Sequence, residues 1–140
     1  MIGFGELEGE MMTRVQNYGL QNRVENLGRR DDIRQFYNAF DAFLLPSLYE
    51  GMPVVGVEAQ CCGLPIFFSK NITEETTACD LAHYIGLDKS ASQWAETIVP
   101  IVKKEKDVRK SRVDEVKLAG FDSESEAHRL QEFYYNRLSE

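Results

Sequence analysis

Residues 42–68 read A-F-L-L-P-S-L-Y-E-G-M-P-V-V-G-V-E-A-Q-C-C-G-L-P-I-F-F, and the fold class turns on this stretch. Ala42–Leu45 is a compact apolar run ended by Pro46, the pattern of a strand covered on both faces. A polar loop follows. Pro53 suits the first turn of a helix, where its missing N–H costs nothing. That helix runs through Val54, Val55, Val57 and Ala59 to Gly63, and Pro65–Phe68 is a second buried strand. Strand, short helix and strand in immediate succession imply parallel pairing.

The same alternation extends in both directions. Upstream, Met1–Phe4 reads as the end of a strand running into Gly5. Leu7, Met11, Met12, Val15 and Tyr18 recur at helical spacing, with Gly19 where the helix stops. Val24–Leu27 is a short strand closed by Gly28, and Asp31 or Asp32 can cap a helix with Ile33, Phe36, Tyr37 and Phe40 on its apolar face. Downstream, a short strand falls near Tyr84–Leu87. Ser90 with Gln93 is a capping-box pattern before Trp94, Ile98 and Ile101, and Pro100 should kink or divide the helix it opens. Lys103–Arg112 reads as a solvated charged run. Ser123 with Glu126 opens a C-terminal helix over about residues 123–138, with Ala127, Leu130, Tyr134 and Leu138 on one face. Short apolar strands alternating with amphipathic helices predict an α/β domain with a doubly wound, Rossmann-like parallel sheet.

Composition narrows the function. At 140 residues the chain is long enough for one core. Sixteen basic against 23 acidic residues give a net charge of −7, which disfavours a phosphate backbone and excludes nucleic acid as an expected partner. Cys61, Cys62 and Cys79 lack disulfide or zinc-ligand spacing, and His83 and His128 are isolated, so no metal site is expected. The thiols suit a reducing cytoplasm. No signal peptide or membrane span is read, which leaves peripheral contact with the inner face of a membrane to regions beyond this chain.

The loop between Pro46 and Pro53 lies at the carboxyl end of a strand, where parallel sheets gather ligands. The helix start beyond it offers unpaired N–H groups and about half a unit of positive charge, which suits a diphosphate. Gly51 lets a ligand approach the backbone. Glu58 is a carboxylate in a helix otherwise made mostly of Val, Ala, Gly and Cys, and is costly there without partners. Its oxygens only accept hydrogen bonds, so two adjacent sugar hydroxyls would suit it. Glu50, in the loop, can reach a ligand lying across the helix start.

Glu50 and Glu58, separated by seven residues, resemble the E-x(7)-E motif of retaining GT-B glycosyltransferases. F-L-L-P-S-L-Y-E-G-M-P-V-V-G-V-E-A-Q-C-C-G-L-P-I is similar to the pattern around that motif. I-G-F-G-E-L, V-E-N-L-G-R-R-D-D-I, N-I-T-E-E, D-L-A-H-Y-I-G-L-D-K-S and A-G-F-D-S extend the likeness, towards the group 1, family-four type of bacterial capsular and exopolysaccharide enzymes. The resemblance implies a nucleotide-diphosphate-sugar donor, most often a UDP-sugar, as substrate, with no cofactor and no metal. It assigns Glu50 as the catalytic carboxylate touching the donor sugar and Glu58 to the ribose hydroxyls. Gly51, Met52, Pro53 and Val54 would line the sugar and phosphate site. The loop at Gly28–Arg30 is a lesser candidate for the base pocket, with Arg30 among the donor-binding residues.

The family's second half begins with one more strand and helix carrying an Arg and a Lys for the diphosphate, and no residues here match them. Residues 1–140 are thus expected to be a single partial donor-binding domain, without the N-terminal acceptor domain and inactive alone. In a 3-2-1-4-5-6 strand order the unmatched strand is central, so the visible strands close together or another chain, including a second copy, fills the gap. Two alternatives stand beside this reading: a non-catalytic binding or scaffold subunit with a separate acceptor partner, and a GT-B-like sugar-nucleotide epimerase.

Overall fold

A computed structural model describes residues 1–138. The chain packs as two compact units, residues 1–35 and 36–140.

In the first unit, α1 (Glu8–Asn17) buries Val15 and ends where Gly19 takes a positive φ of 66°. Residues 1–4 and 24–27, expected as strands, do not form a regular ladder. They are nonetheless paired: Leu27 N–H donates to Met1 O at 2.8 Å, Gly3 N–H to Gly28 O at 2.9 Å, and the Met1 amine to Glu25 O. Gly3 (φ 139°) and Gly28 (φ 61°) take conformations that L-residues avoid, which interrupts strand geometry on both sides of the pair. Helix α2 (Ile33–Ala39) follows Asp32, whose carbonyl accepts from Gln35 N–H at 3.0 Å, and residues 36–39 of it, with Tyr37, belong to the second unit.

The second unit is built on three parallel strands, β1 (Phe43–Leu45), β2 (Ile66–Ser69) and β3 (Ala82–Ile85), in the order β1-β2-β3. Phe43 pairs with Ile66, which pairs in turn with Ala82. Central strand β2 is buried at every residue, as a parallel strand with both faces covered should be. Phe67 stacks on His83 at 5.2 Å and Phe68 on Tyr84 at 5.3 Å, each across the register.

Helix α3 (Val54–Cys61) joins β1 to β2, with Pro53 as its N-cap residue. Gly56 meets the sheet so closely that a Cβ there would sit 2.5 Å from Phe68 Cζ. Gln60, fully buried, donates to the Gly56 and Thr76 carbonyls and accepts from Ala78 and Cys79 N–H, which fastens α3 to the segment before β3. On another face, Val57 and Cys61 pack with Ala78 and with Val116 of α5 (Val113–Val116). A π-type turn, Lys117–Phe121, then leads through Gly120 (φ 90°) to α6 (Ser123–Leu138).

Three expectations change. Helix α4 (Ala91–Lys106) carries the Ser90–Gln93 capping box and continues as one helix past Pro100, so of the two outcomes expected at that proline, division does not occur. Asp122 rather than Ser123 caps α6, its carboxylate accepting from Ser125 N–H at 3.3 Å and Ser125 Oγ at 2.5 Å. The run Lys103–Arg112 is not uniformly solvated. Arg109 Nε donates to Cys62 O at 3.1 Å, its Nη1 to Phe40 O at 2.6 Å, and its Nη2 to Tyr37 O. Arg112 holds Glu115 at 2.6 Å and Asp80 at 3.4 Å. Among the described residues no helix is long and apolar enough to cross a membrane.

Candidate functional site

The β1–α3 loop leaves the sheet at its carboxyl edge. Ser69 Oγ, at the end of β2, donates to Ser47 O at 2.5 Å, and Asn71 Nδ2 donates to Leu48 O at 3.1 Å. The loops after β1 and β2 are therefore pinned to each other. Within the first of them Ser47 Oγ donates to Glu50 Oε1 at 2.9 Å, leaving the exposed Glu50 partly oriented. Gly51 and Met52 are exposed and Pro53 is buried. Exposed Leu48, Tyr49, Met52, Val54 and Val55 give this edge an apolar rim.

The first turn of α3 has no side-chain cap. Gly56 N–H donates to Pro53 O at 2.9 Å, while the N–H groups ahead of it lie at the positive pole of the helix dipole. Glu58 is the fifth residue of α3 and is half-buried. Tyr37, fully buried in α2, donates its hydroxyl to Glu58 Oε2 at 3.0 Å. The Tyr37 ring stands edge-on to Phe43 of β1, 5.8 Å between centroids at 83°. Burial, and then the adjacent Glu58 carboxylate, push the Tyr37 phenol above its ordinary pKa, so it remains a donor. Arg109 joins the Tyr37 and Phe40 carbonyls to the α3 C-cap carbonyl of Cys62. One guanidinium thus holds the backbones that carry Tyr37 and Glu58.

The structure gathers Glu50, Gly51, Met52, Pro53, Val54 and Glu58 on one loop and helix of the second unit. Arg30 lies in the first unit, where its guanidinium grips Asp32 through two bonds of 2.8 and 2.7 Å. Hydrogen bonding from Arg30 keeps the Asp32 carboxyl below the usual carboxylate range. Among the described residues, Cys79, Asp80 and Glu115 bring ligand-type atoms within 4.8 Å of one another. Both carboxylates already pair with Arg112, Asp80 at 3.4 Å and Glu115 at 2.6 Å. Sequence reasoning passed over Tyr37, counted as apolar helix face, and Arg109, counted as solvated. The signal for Tyr37 was a polar group among apolar neighbours; Arg109, in a run of charges, carried none.

Comparison with known proteins supplies the context for this site. The family described as "Glycosyl transferases group 1" matches residues 1–118. The glycosyltransferase EpsF of Bacillus subtilis (strain 168) is 35% identical over 96% of this chain and 35% of its own length. A UDP-Gal:alpha-D-GlcNAc-diphosphoundecaprenol alpha-1,3-galactosyltransferase of Escherichia coli is 43% identical over 49% of this chain and 18% of its own. The chain spans at most about a third of the length of these relatives. In three dimensions, Anabaena HepE in complex with UDP superposes with a TM-score of 0.75 at 24% identity, covering 96% of this chain and 40% of HepE. That likeness establishes the α/β fold as that of part of a GT-B glycosyltransferase.

Proposed function

The chain belongs to the group 1 glycosyl transferases, and from that premise we propose that residues 46–63 form the nucleotide-sugar donor pocket of a retaining glycosyltransferase of polysaccharide synthesis. Glu58 accepts the ribose hydroxyls, the N–H groups of Gly51, Met52 and Val54 take the diphosphate, and Glu50 touches the donor sugar as the catalytic carboxylate. Pro53 shapes the turn. Negative charge develops on the diphosphate as it leaves, and amides already aimed at it stabilise that charge without reorganising. No cofactor takes part; the nucleotide-sugar is a substrate.

One observation carries the reading: a half-buried carboxylate, Glu58, sits in an apolar helix whose uncapped start faces the pinned loops at the sheet's carboxyl edge. The E. coli galactosyltransferase by the UDP-Gal in its name, and HepE by its bound UDP, support a nucleotide-sugar as the ligand class. Group transfer needs the acceptor held in line and water excluded. This chain is a partial donor-binding domain, and transfer needs an acceptor domain from outside residues 1–140.

Calorimetric titration with UDP tests the proposal. Saturable binding should weaken about 30-fold in Glu58→Ala, since losing a charged hydrogen-bond acceptor costs about 2 kcal/mol. Equal affinity in wild type and variant would refute it.

A further inference from the structure

We infer that Tyr37 is a positioning residue for Glu58: its hydroxyl fixes the carboxylate through Oε2 and so selects ligands carrying ribose hydroxyls over deoxy ligands. This rests on the donor-pocket reading above and adds a residue to it.

Four observations converge. The hydroxyl–carboxylate distance is 3.0 Å and Tyr37 has no exposed surface, so the phenol needs an internal acceptor and Glu58 provides it. The edge-on contact with Phe43 fixes the ring. Arg109 bonds to the Tyr37 carbonyl and to the Cys62 carbonyl at the end of α3, so donor and acceptor stand on backbones held together. Among the described residues, Oε1 of Glu58 has no hydrogen-bond partner, which leaves an oriented acceptor atom unused.

The physical consequence is preorganisation. A free glutamate must give up rotamer freedom when it captures a diol, and that loss subtracts from affinity. Here one oxygen is already anchored by a buried donor, and the residual acceptor capacity of the carboxylate is presented in one geometry. A carboxylate accepts at about four lone-pair sites, so one bond from Tyr37 leaves room for two vicinal hydroxyls. Without the phenol, Glu58 would be free to turn towards solvent and would distinguish diol from non-diol poorly.

The test compares UDP with 2′,3′-dideoxy-UDP on the 140-residue chain, in wild type, Tyr37→Phe and Glu58→Ala, with a melting curve for each. Phenylalanine keeps the ring against Phe43 and removes only the hydroxyl. Wild type should prefer UDP by about tenfold or more, and Tyr37→Phe should cut that preference by about fivefold or more. A variant that merely loosens the fold weakens both ligands alike and leaves the ratio intact. If Glu58→Ala abolishes the preference while Tyr37→Phe keeps it at the wild-type value, the positioning role is overturned and the donor pocket stands. If wild type shows no preference, or Glu58→Ala keeps it, the donor pocket fails and this inference with it. Should Tyr37→Phe not fold, 3-fluorotyrosine placed at position 37 serves instead. Its fluorine resonance should move with UDP and not with the dideoxy ligand, and a resonance responding equally to both overturns the role.

Discussion

Arg109→Ala tests whether the two helices behind the site are held as described. The guanidinium donates to three main-chain carbonyls, Tyr37, Phe40 and Cys62, the last two at 2.6 and 3.1 Å. All three lie at helix C-terminal ends, where carbonyls lack intrahelical partners and a cation opposes the negative pole. Charge-assisted bonds contribute about 1.5–3 kcal/mol each, so the low end gives about 4–5 kcal/mol gross. Arg109 is only partly buried, and water recovers about half of this, leaving a loss of about 2–3 kcal/mol. With a urea slope of about 2 kcal/mol per molar, the midpoint should fall by about 1–1.5 M. Arg109→Lys should recover less than half of the loss, because an ammonium lacks the planar fork that spans the carbonyls. Lys104→Ala, a control at a mostly exposed side chain, should stay within about 0.5 kcal/mol of wild type. An Arg109→Ala midpoint no different from the Lys104→Ala midpoint would refute the reasoning.

Two further outcomes follow from packing and protonation. Gly63 has φ 66°, and a Cβ there would lie 2.0 Å from the Lys110 carbonyl oxygen. Gly63→Ala should cost about 2–4 kcal/mol in denaturant unfolding, combining left-handed strain with displacement of backbone that cannot rotate away; a cost under about 0.5 kcal/mol would contradict the contact. His83 is stacked on Phe67, and burial lowers its pKa below the ordinary 6.5, outweighing the opposing pull of Glu105 and Asp80. The unfolded chain therefore binds the proton more readily, and this contribution is whole above pH 6.5 and lost as pH falls below it. Melting temperatures measured between about pH 7 and 5 should fall with acidity, and His83→Phe should flatten that slope; an unchanged slope would refute the assignment.

Strand β2 was legible because a strand covered on both faces must be apolar at successive positions, as in Ile66–Phe68; β1 was legible as an apolar run ended by Pro46, although Leu44 is exposed, and β3, with its His83 and Tyr84, was placed two residues too late. The Ser90 capping box was legible because both of its bonds are local. What sequence could not show was distance. Arg109 sits in a run of charges, and nothing local reveals that it meets carbonyls 47 to 72 residues earlier. Tyr37 recurs at the spacing of an apolar face, and that spacing carries no information about where a hydroxyl points. Gln60 lies in the same helix as Glu58, yet hydrogen bonds to Gly56, Thr76, Ala78 and Cys79 absorb it entirely into the core. Two polar residues in one apolar helix thus have opposite fates, decided by what the fold sets against each. The Asp122 cap was missed because Ser123 offered an equally good pattern one residue on.

A crystal structure of the chain with UDP tests the donor pocket most directly. Ribose hydroxyl oxygens should lie about 2.6–3.0 Å from the Glu58 carboxylate, with Tyr37 still on Oε2 and the diphosphate over the amides of Gly51 to Val54. Clear density for UDP with its ribose away from Glu58, or with its phosphates away from the start of α3, would contradict the account.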